Sequence, residues 1–397
     1  MLTAARGATL ILLGALLAQA PLAAAAYQPR DPGYHSGPAA DPAPSLSTST
    51  PTLTPEPTET PTTPTDTPTK PIETLTPSQP VPEPPAARSW SDLVKQVAET
   101  SPGDLRLRSA DTSAQASSML RCFKLDDENY CLGLGFVDQV PSGAQLQELT
   151  SPPASLRADD DAGVEQDSPT GDLTPAAFVA QRAAMPKSAR VTAELDELKA
   201  AWAGRAKARE LRLLSTSATP AAPVKMPASA YIMNGFQTSQ EKGYWCGPAT
   251  FQSIDWADDN QKDTQASWAE DLGSTTSGTA ISAMVKQTNV KTAWPKSAGT
   301  YVVQNVSGWN AQTFFAVHQK HLGVYKAPVI EHVQLLKRYF PYLAFNHSGH
   351  YQVGRGYNQA NGTIAIFEVF NERRFNSRGN VTDGPKNIPA SALFNAT

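Results

Sequence analysis

The chain has 397 residues, and 33 Lys and Arg side chains stand against 37 Asp and Glu, which gives a formal net charge of −4. Because no long basic run interrupts this balance, the composition argues against nucleic acid as a partner. The three cysteines and 34 prolines are spread unevenly and divide the chain into regions of different character.

The first 26 residues have the pattern of a secretory signal peptide. A positively charged start that includes Arg6 precedes an apolar run over residues 8–17 and an Ala-x-Ala-like site at residues 24–26. This order predicts cleavage and a mature protein outside the cytoplasm, secreted or associated with the cell wall. The alternative is an uncleaved anchor, because the apolar character extends over roughly the 20 residues that a membrane span needs. No membrane contact is expected after cleavage.

Residues 27–87 are predicted to be a disordered linker rich in Pro and Thr. Residues 31–85 alone hold 16 of the 34 prolines, with almost no aliphatic periodicity. Such a segment cannot bury enough apolar surface to offset its ordering entropy, so disorder or extended polyproline II structure is expected. We interpret this region as an extracellular spacer.

Two of the three cysteines are predicted to form a disulfide. Cys122 and Cys131 flank a polar, Asp- and Asn-rich stretch that can turn the chain back, and exported proteins form disulfides in oxidising surroundings. Cys246 is then left over. Such a thiol forms an intermolecular bridge, stays free for reaction, or is buried and inert. Its position between Trp245 and a Gly-Pro step argues against simple burial in the interior of a strand or helix.

Residues 88–225 are expected to form a small N-terminal module. The sequence predicts a capped amphipathic helix over residues 91–99 and a strand over residues 132–136. An acidic, Ser/Pro-rich stretch over residues 151–171 follows, and residues 174–214 predict one or two helices. This helical segment is interpreted either as an inhibitory propeptide or as an ordinary connector.

The last domain, residues 226–397, carries the candidate nucleophile. Pro248 fits the first turn of a helix, so Cys246 would lie at a helix N-terminus, where the dipole favours a thiolate. Gly247 allows the close approach of a substrate carbonyl. Its developing oxyanion could accept hydrogen bonds from the Cys246 N–H and from the side-chain amide of Gln240. The pattern predicts a cysteine hydrolase, provided that a base lies nearby.

His350 is the predicted general base. The histidines without catalytic context are His35, His318, His321 and His332. Of the remaining two, His347 and His350, the second opens a predicted β-hairpin with strands over residues 351–357 and 363–370.

The register of this hairpin suggests a partner for His350. If residue 357 pairs near residue 363, His350 faces residues 370–373. Asn371 or Glu372 could then accept the imidazole Nδ1–H and hold the ring toward the thiolate. Asn371 is preferred because it ends the apolar run, whereas Glu372 begins a charged cluster.

These features resemble the bacterial C39-like peptidases of the papain-like cysteine protease clan. The matching pieces in this sequence are Gln240, residues 245–250, residues 273–279, Gly349-His350-Tyr351 and Gly356-Tyr357. By this resemblance Gln240 is the oxyanion-hole residue, Cys246 the nucleophile and His350 the general base. The resemblance covers the C-terminal domain only and implies an α+β, papain-like fold, with the Cys on a helical lobe and the His on an antiparallel sheet. Family members often have an Asp-Pro step where this chain has Phe370-Asn371-Glu372.

The expected function is a secreted cysteine peptidase or peptide amidase that acts without a cofactor, as a monomer, on peptides or proteins, cell-wall peptides among them. Family members in export ATPases cut double-glycine leader peptides, but no ATPase domain is recognised here, so that substrate is not carried over. A metal site on the paired histidines lacks a glutamate in zinc-protease order. A non-catalytic extracellular or wall-binding module remains as the alternative, although it would not require Gln240, Cys246 and His350 together.

Overall fold

The computed structural model of the chain describes residues 89–103, 112–150, 171–216, 226–347 and 349–397. The predicted signal peptide and linker lie outside these residues, as does nearly all of the acidic stretch over residues 151–171. Within the described ranges, no helix has both the length and the apolar character to cross a bilayer.

The N-terminal module begins with the capped helix that the sequence predicts. Helix α1 spans Trp90–Thr100. Ser89 accepts a hydrogen bond from the Asp92 N–H through its side chain, and the Asp92 carboxylate accepts one from the Ser89 N–H. This reciprocal capping box satisfies two backbone donors that a helix start leaves free. Leu93 and Val97 then face the core of the module.

A small antiparallel sheet contains the predicted disulfide. Its strands are β1 (Cys122–Leu125), β2 (Glu128–Cys131) and β3 (Gly135–Val137). Cys122 lies opposite Cys131 in the β1–β2 hairpin, and the two are joined, which confirms the pairing. The strand predicted over residues 132–136 begins later than expected. Gly133 and Gly135 have φ angles of 74° and 86°, so the chain turns before it extends.

The described part of the module contains four further helices: α2 (Thr112–Met119), α3 (Gly143–Thr150), α4 (Pro175–Ala184) and α5 (Lys187–Thr216). The last two confirm the prediction of one or two helices over residues 174–214. Phe178 of α4 and Leu198 of α5 are buried in one apolar core with Phe123 and Phe136.

The C-terminal domain combines short helices with a five-stranded antiparallel sheet. In chain order its elements are β4 (Ser229–Tyr231), α6 (Cys246–Asp259), α7 (Gln265–Asp271), α8 (Ile281–Lys291), α9 (Pro295–Ala298), α10 (Ala311–Gln319), a π-helix (Lys320–Tyr325), β5 (Val329–Gln334), β6 (Gly349–Asn358), β7 (Thr363–Glu368), α11 (Glu372–Phe375), β8 (Gly384–Pro389) and α12 (Ala390–Ala396). The sheet order is β4-β6-β7-β8, and β5 also pairs with β6. This mixture agrees with the α+β class expected from the sequence.

Strand β6 is central, and its hairpin with β7 has the predicted register. Tyr357 lies opposite Ile364, and Val353 lies opposite Phe367, with an irregularity between these two pairs. On one face of the sheet, α6 packs against β6, and the Thr250 hydroxyl donates to the Tyr351 carbonyl at 2.9 Å. The sheet and the helix that carry the two candidate catalytic residues are therefore fixed to each other.

Candidate active site

Cys246 is the first residue of α6 and lies against strand β6. Its sulfur accepts a hydrogen bond from the backbone N–H of Tyr351 at 3.4 Å, and Tyr351 directly follows His350. Gly247 is required by close packing, because a Cβ at this position would lie 2.5 Å from the Thr279 hydroxyl oxygen. The helix start thus places the thiol against the backbone of β6, one residue after the predicted base His350.

His350 is held by a carboxylate. Its Nε2 lies 2.7 Å from Oε1 of Glu368, the last residue of β7, and both side chains are fully buried. Among the residues that the structure describes, the imidazole Nδ1 has no hydrogen-bond partner. One ring nitrogen is therefore occupied by the orienting carboxylate, and the other is available for proton transfer.

Glu368 is organised to remain ionised. Burial on its own would raise the pKa of this carboxyl, but the charge of His350 and hydrogen bonds from His350, the Phe370 N–H and the Tyr342 hydroxyl outweigh it and lower the pKa. The Phe370 and Tyr342 bonds measure 2.8 and 2.9 Å. A carboxylate in this position stabilises the imidazolium form of its neighbour.

The structure corrects the sequence prediction for the orienting residue. Among the hydrogen bonds of the described residues, Asn371 makes none to His350; its side-chain amide donates to Asp383 at 2.8 Å. Glu372, the second candidate, lies 2.7 Å from His347 Nε2 instead. The bonded imidazole atom also differs, since His350 uses Nε2 rather than Nδ1.

The alternation of side chains along the strand explains the correction. When the observed register is extended, residue 350 lies opposite residue 370, so residues 368, 370 and 372 share its face and residue 371 points away. Glu368 is then a diagonal neighbour of His350, within reach of long side chains. The same rule, applied to one of the registers that the prediction left open, would have included Glu368 among the candidates.

Gln240 lies six residues before the thiol and is fully buried. Its side-chain amide donates to the carbonyls of Lys242 and Gly243, both at 2.9 Å, and its backbone N–H donates to Val369. These bonds connect the loop that precedes α6 to the residue that follows β7. The oxyanion-hole role of Gln240 stays a prediction, since its amide would have to exchange one of these carbonyls for the substrate.

Residues 234–381 match the sequence model of the Peptidase_C39 like family. This region is a C39-like peptidase domain. The match covers a little over a third of the chain, includes Cys246, His350 and Glu368, and excludes the N-terminal module. Comparison with curated proteins and with solved structures gave no match.

In this C39-like domain the pKa of the Cys246 thiol is raised, which favours its neutral form. Burial is the largest influence and raises the pKa of Cys246 well above its usual value, and the negative charges of Asp172 and Glu368 raise it further. The N–H groups of Tyr351 and Gly247 oppose this shift only in part. Something must change around the sulfur before it can attack a substrate as a thiolate.

Two histidines outside the pair have partners that the sequence analysis did not find. His332 of β5 places Nε2 3.0 Å from the Asp172 carboxylate, which belongs to the N-terminal module. His318 is buried between the Phe314 carbonyl and Glu331. Within the described part of the chain, no group of three or more His, Cys, Asp or Glu side chains could hold a metal ion.

Proposed function

We propose that the C39-like domain hydrolyses peptide bonds through a covalent intermediate on Cys246, with His350 as general base and Glu368 as its orienting carboxylate. The observation that carries this proposal is the position of Cys246 at the start of α6, with its sulfur against the backbone that follows the His350–Glu368 pair. A nucleophile, a base and a group that orients the base are the three components of such chemistry.

In the proposed first step, His350 Nδ1 takes the proton of Cys246, and the thiolate sulfur attacks the carbonyl carbon of the scissile bond. A C–S bond forms and an electron pair moves onto the carbonyl oxygen. The Cys246 N–H and the amide of Gln240 donate to this oxyanion. When the oxyanion collapses, the C–N bond breaks and the imidazolium gives its proton to the departing amine.

The second step regenerates the thiol. His350 takes a proton from a water molecule, whose oxygen attacks the thioester, and the C–S bond breaks to release the carboxylic acid product. The proton returns from the imidazolium to the sulfur. Throughout, Glu368 remains ionised and stabilises the imidazolium.

The proposed setting is extracellular. The signal-peptide pattern of residues 1–26 supports export, and a disulfide between Cys122 and Cys131 is of the kind that oxidising compartments allow. Wall peptides or extracellular proteins are then accessible substrates.

A peptide-library digest tests this function. The purified chain is incubated with the library and the products are identified by mass spectrometry, with Cys246→Ala and His350→Ala variants as controls. We expect cleavage that both substitutions reduce by ~10³-fold or more. Cleavage that survives in Cys246→Ala would assign the activity to another site or to a contaminant.

One observation favours a second candidate, a peptide-binding module that does not cleave. The thiol is buried and its pKa is raised. Under this alternative, library peptides would bind to the protein without being cleaved, and the Cys246→Ala variant would bind them equally well.

A further inference from the structure

The reacting groups of the proposed peptidase are closed to a substrate in this chain. Cys246 and His350 are both 0 % exposed. A peptide carbonyl has to approach the sulfur to ~3–3.5 Å before attack. Residues that shield these two groups from a substrate must therefore lie close to them, and one described segment packs beside the residues that precede both.

This segment comes from the N-terminal module, just ahead of α4. The Thr279 N–H donates to the Gly171 carbonyl at 2.8 Å, and the Leu173 N–H donates to the Thr279 carbonyl at 2.9 Å. Asp172 thus forms an isolated parallel β-bridge with Thr279. Backbone pairing of this kind is how a protein edge binds an extended peptide.

This 171–173 segment passes between the backbones that lead to the two catalytic residues. Gly171 has a φ of 120°, and a Cβ there would lie 2.3 Å from the Tyr244 carbonyl oxygen and 3.0 Å from the Trp245 nitrogen. These residues immediately precede Cys246. On the other side, a Cβ at Gly349, the residue before His350, would lie 2.0 Å from Asp172 Oδ2.

Asp172 closes the space at an energetic cost. Its carboxylate is almost fully buried, and Oδ2 is bonded to His332. Oδ1 is buried and accepts no hydrogen bond from the described residues. Since a buried carboxylate oxygen without a partner is unfavourable, the contact is poorly optimised for permanent packing and suited to release.

We propose that the 171–173 segment occupies the cleft in which an extended peptide substrate binds, so that the chain holds its own active site closed until this segment is displaced. The inference rests on the proposed peptidase function for the identity of the cleft. It assigns Thr279 as the backbone partner of the substrate and the N-terminal module as an inhibitory element of the propeptide kind.

Alkylation of Cys246 in the full chain tests the closure without requiring any peptidase activity. Gly171→Val adds a side chain that must move away from Tyr244 and Trp245, whereas Gly143→Val adds the same side chain where nothing lies within 4 Å. We expect iodoacetamide to label Cys246 at least ~10-fold faster in Gly171→Val than in the wild type, and Gly143→Val to match the wild type.

A second variant guards against a folding defect. Asp172→Ala removes the buried carboxylate without adding volume, and it should also accelerate labelling while circular dichroism and the melting temperature remain close to those of the wild type. If Gly171→Val does not fold, the labelling rate of Asp172→Ala alone tests the proposal. Wild-type labelling rates in the folded variants would overturn the proposal.

The peptide-library digest separates this inference from the proposed function. Faster labelling without cleavage in any variant would remove the peptidase function and leave the closure in place. Equal cleavage by the wild type and both variants would remove the closure and leave the function in place. Faster labelling together with faster cleavage is the result expected if both are right.

Discussion

His350 and Glu368 form a fully buried imidazole–carboxylate pair, with 2.7 Å between Nε2 and Oε1. Glu368 ends β7 and His350 is the second residue of β6, so the hairpin itself sets the geometry of the pair. Because the remaining bonds of Glu368 come from Phe370 and Tyr342, its side chain has little freedom to leave the imidazole.

The first prediction concerns Glu368→Gln. Glutamine keeps the volume and one acceptor oxygen but removes the negative charge that stabilises the imidazolium. We expect kcat/KM to fall by roughly 10²-fold or more. An Asn371→Ala variant, measured in parallel, should lose much less activity. A larger loss in Asn371→Ala would restore Asn371 as the orienting residue.

Local features of the fold could be predicted from the sequence because they depend on residues close together in the chain. The short capped helix at the start of the N-terminal module, the pairing of Cys122 with Cys131, and the register of the β6–β7 hairpin follow from residues at most about 15 positions apart. Such features require only turn chemistry, capping and alternation.

The same hairpin also has a feature that its sequence alone does not determine. The predicted register left a slip of a few residues open, and a slip of one reverses which side chains share a face. Asn371 and Glu368 could not be separated until the register was known. The contact of Asp172 with His332 could not be predicted from the sequence, since 160 residues separate the two and no local pattern joins them.

The second prediction is an energetic coupling between Gly349 and Asp172. Gly349→Ala should destabilise the wild type by ~1–3 kcal/mol, because its Cβ would overlap the Asp172 carboxylate. In an Asp172→Ala background the overlapping atoms are absent, and most of this cost should disappear. Urea unfolding of the four proteins of the double-mutant cycle, followed by tryptophan fluorescence, gives the coupling energy. Equal costs in both backgrounds would show that Asp172 does not lie against Gly349 in solution.

The third prediction concerns the accessibility of the thiol in the wild-type chain. Burial and the charges of Asp172 and Glu368 raise the pKa of Cys246, so a neutral and inaccessible thiol is expected at neutral pH. Ellman's reagent should react with native protein at least ~10-fold more slowly than with free cysteine. The unreduced protein in denaturant should titrate one thiol per chain, because the other two cysteines are joined. Fast reaction of the native thiol would contradict the closed state.

The last prediction concerns Glu372, which organises the loop ahead of β6 rather than the imidazole of His350. Its carboxylate accepts hydrogen bonds from the N–H groups of Ala344, Phe345 and Asn380 and from His347. Burial acts to raise the pKa of this carboxyl, but the four hydrogen bonds outweigh it and hold the pKa below its usual value of 4.5. Glu372→Gln presents an NH₂ group to some of these donors and should lower the free energy of unfolding by about 2–3 kcal/mol at pH 7.

The pH dependence of that cost follows from the sign of the shift. A carboxyl whose pKa is lower in the folded than in the unfolded protein stabilises the fold above the unfolded pKa, and loses this contribution as the pH falls through the folded value. The stability difference between wild type and Glu372→Gln should therefore be constant near neutral pH and shrink as the pH falls below about 4.5. Glu270→Gln, at an exposed position, is the matched control. Urea unfolding at a series of pH values measures both variants, and a difference that grows toward low pH would mean that Glu372 is not ionised in the folded protein.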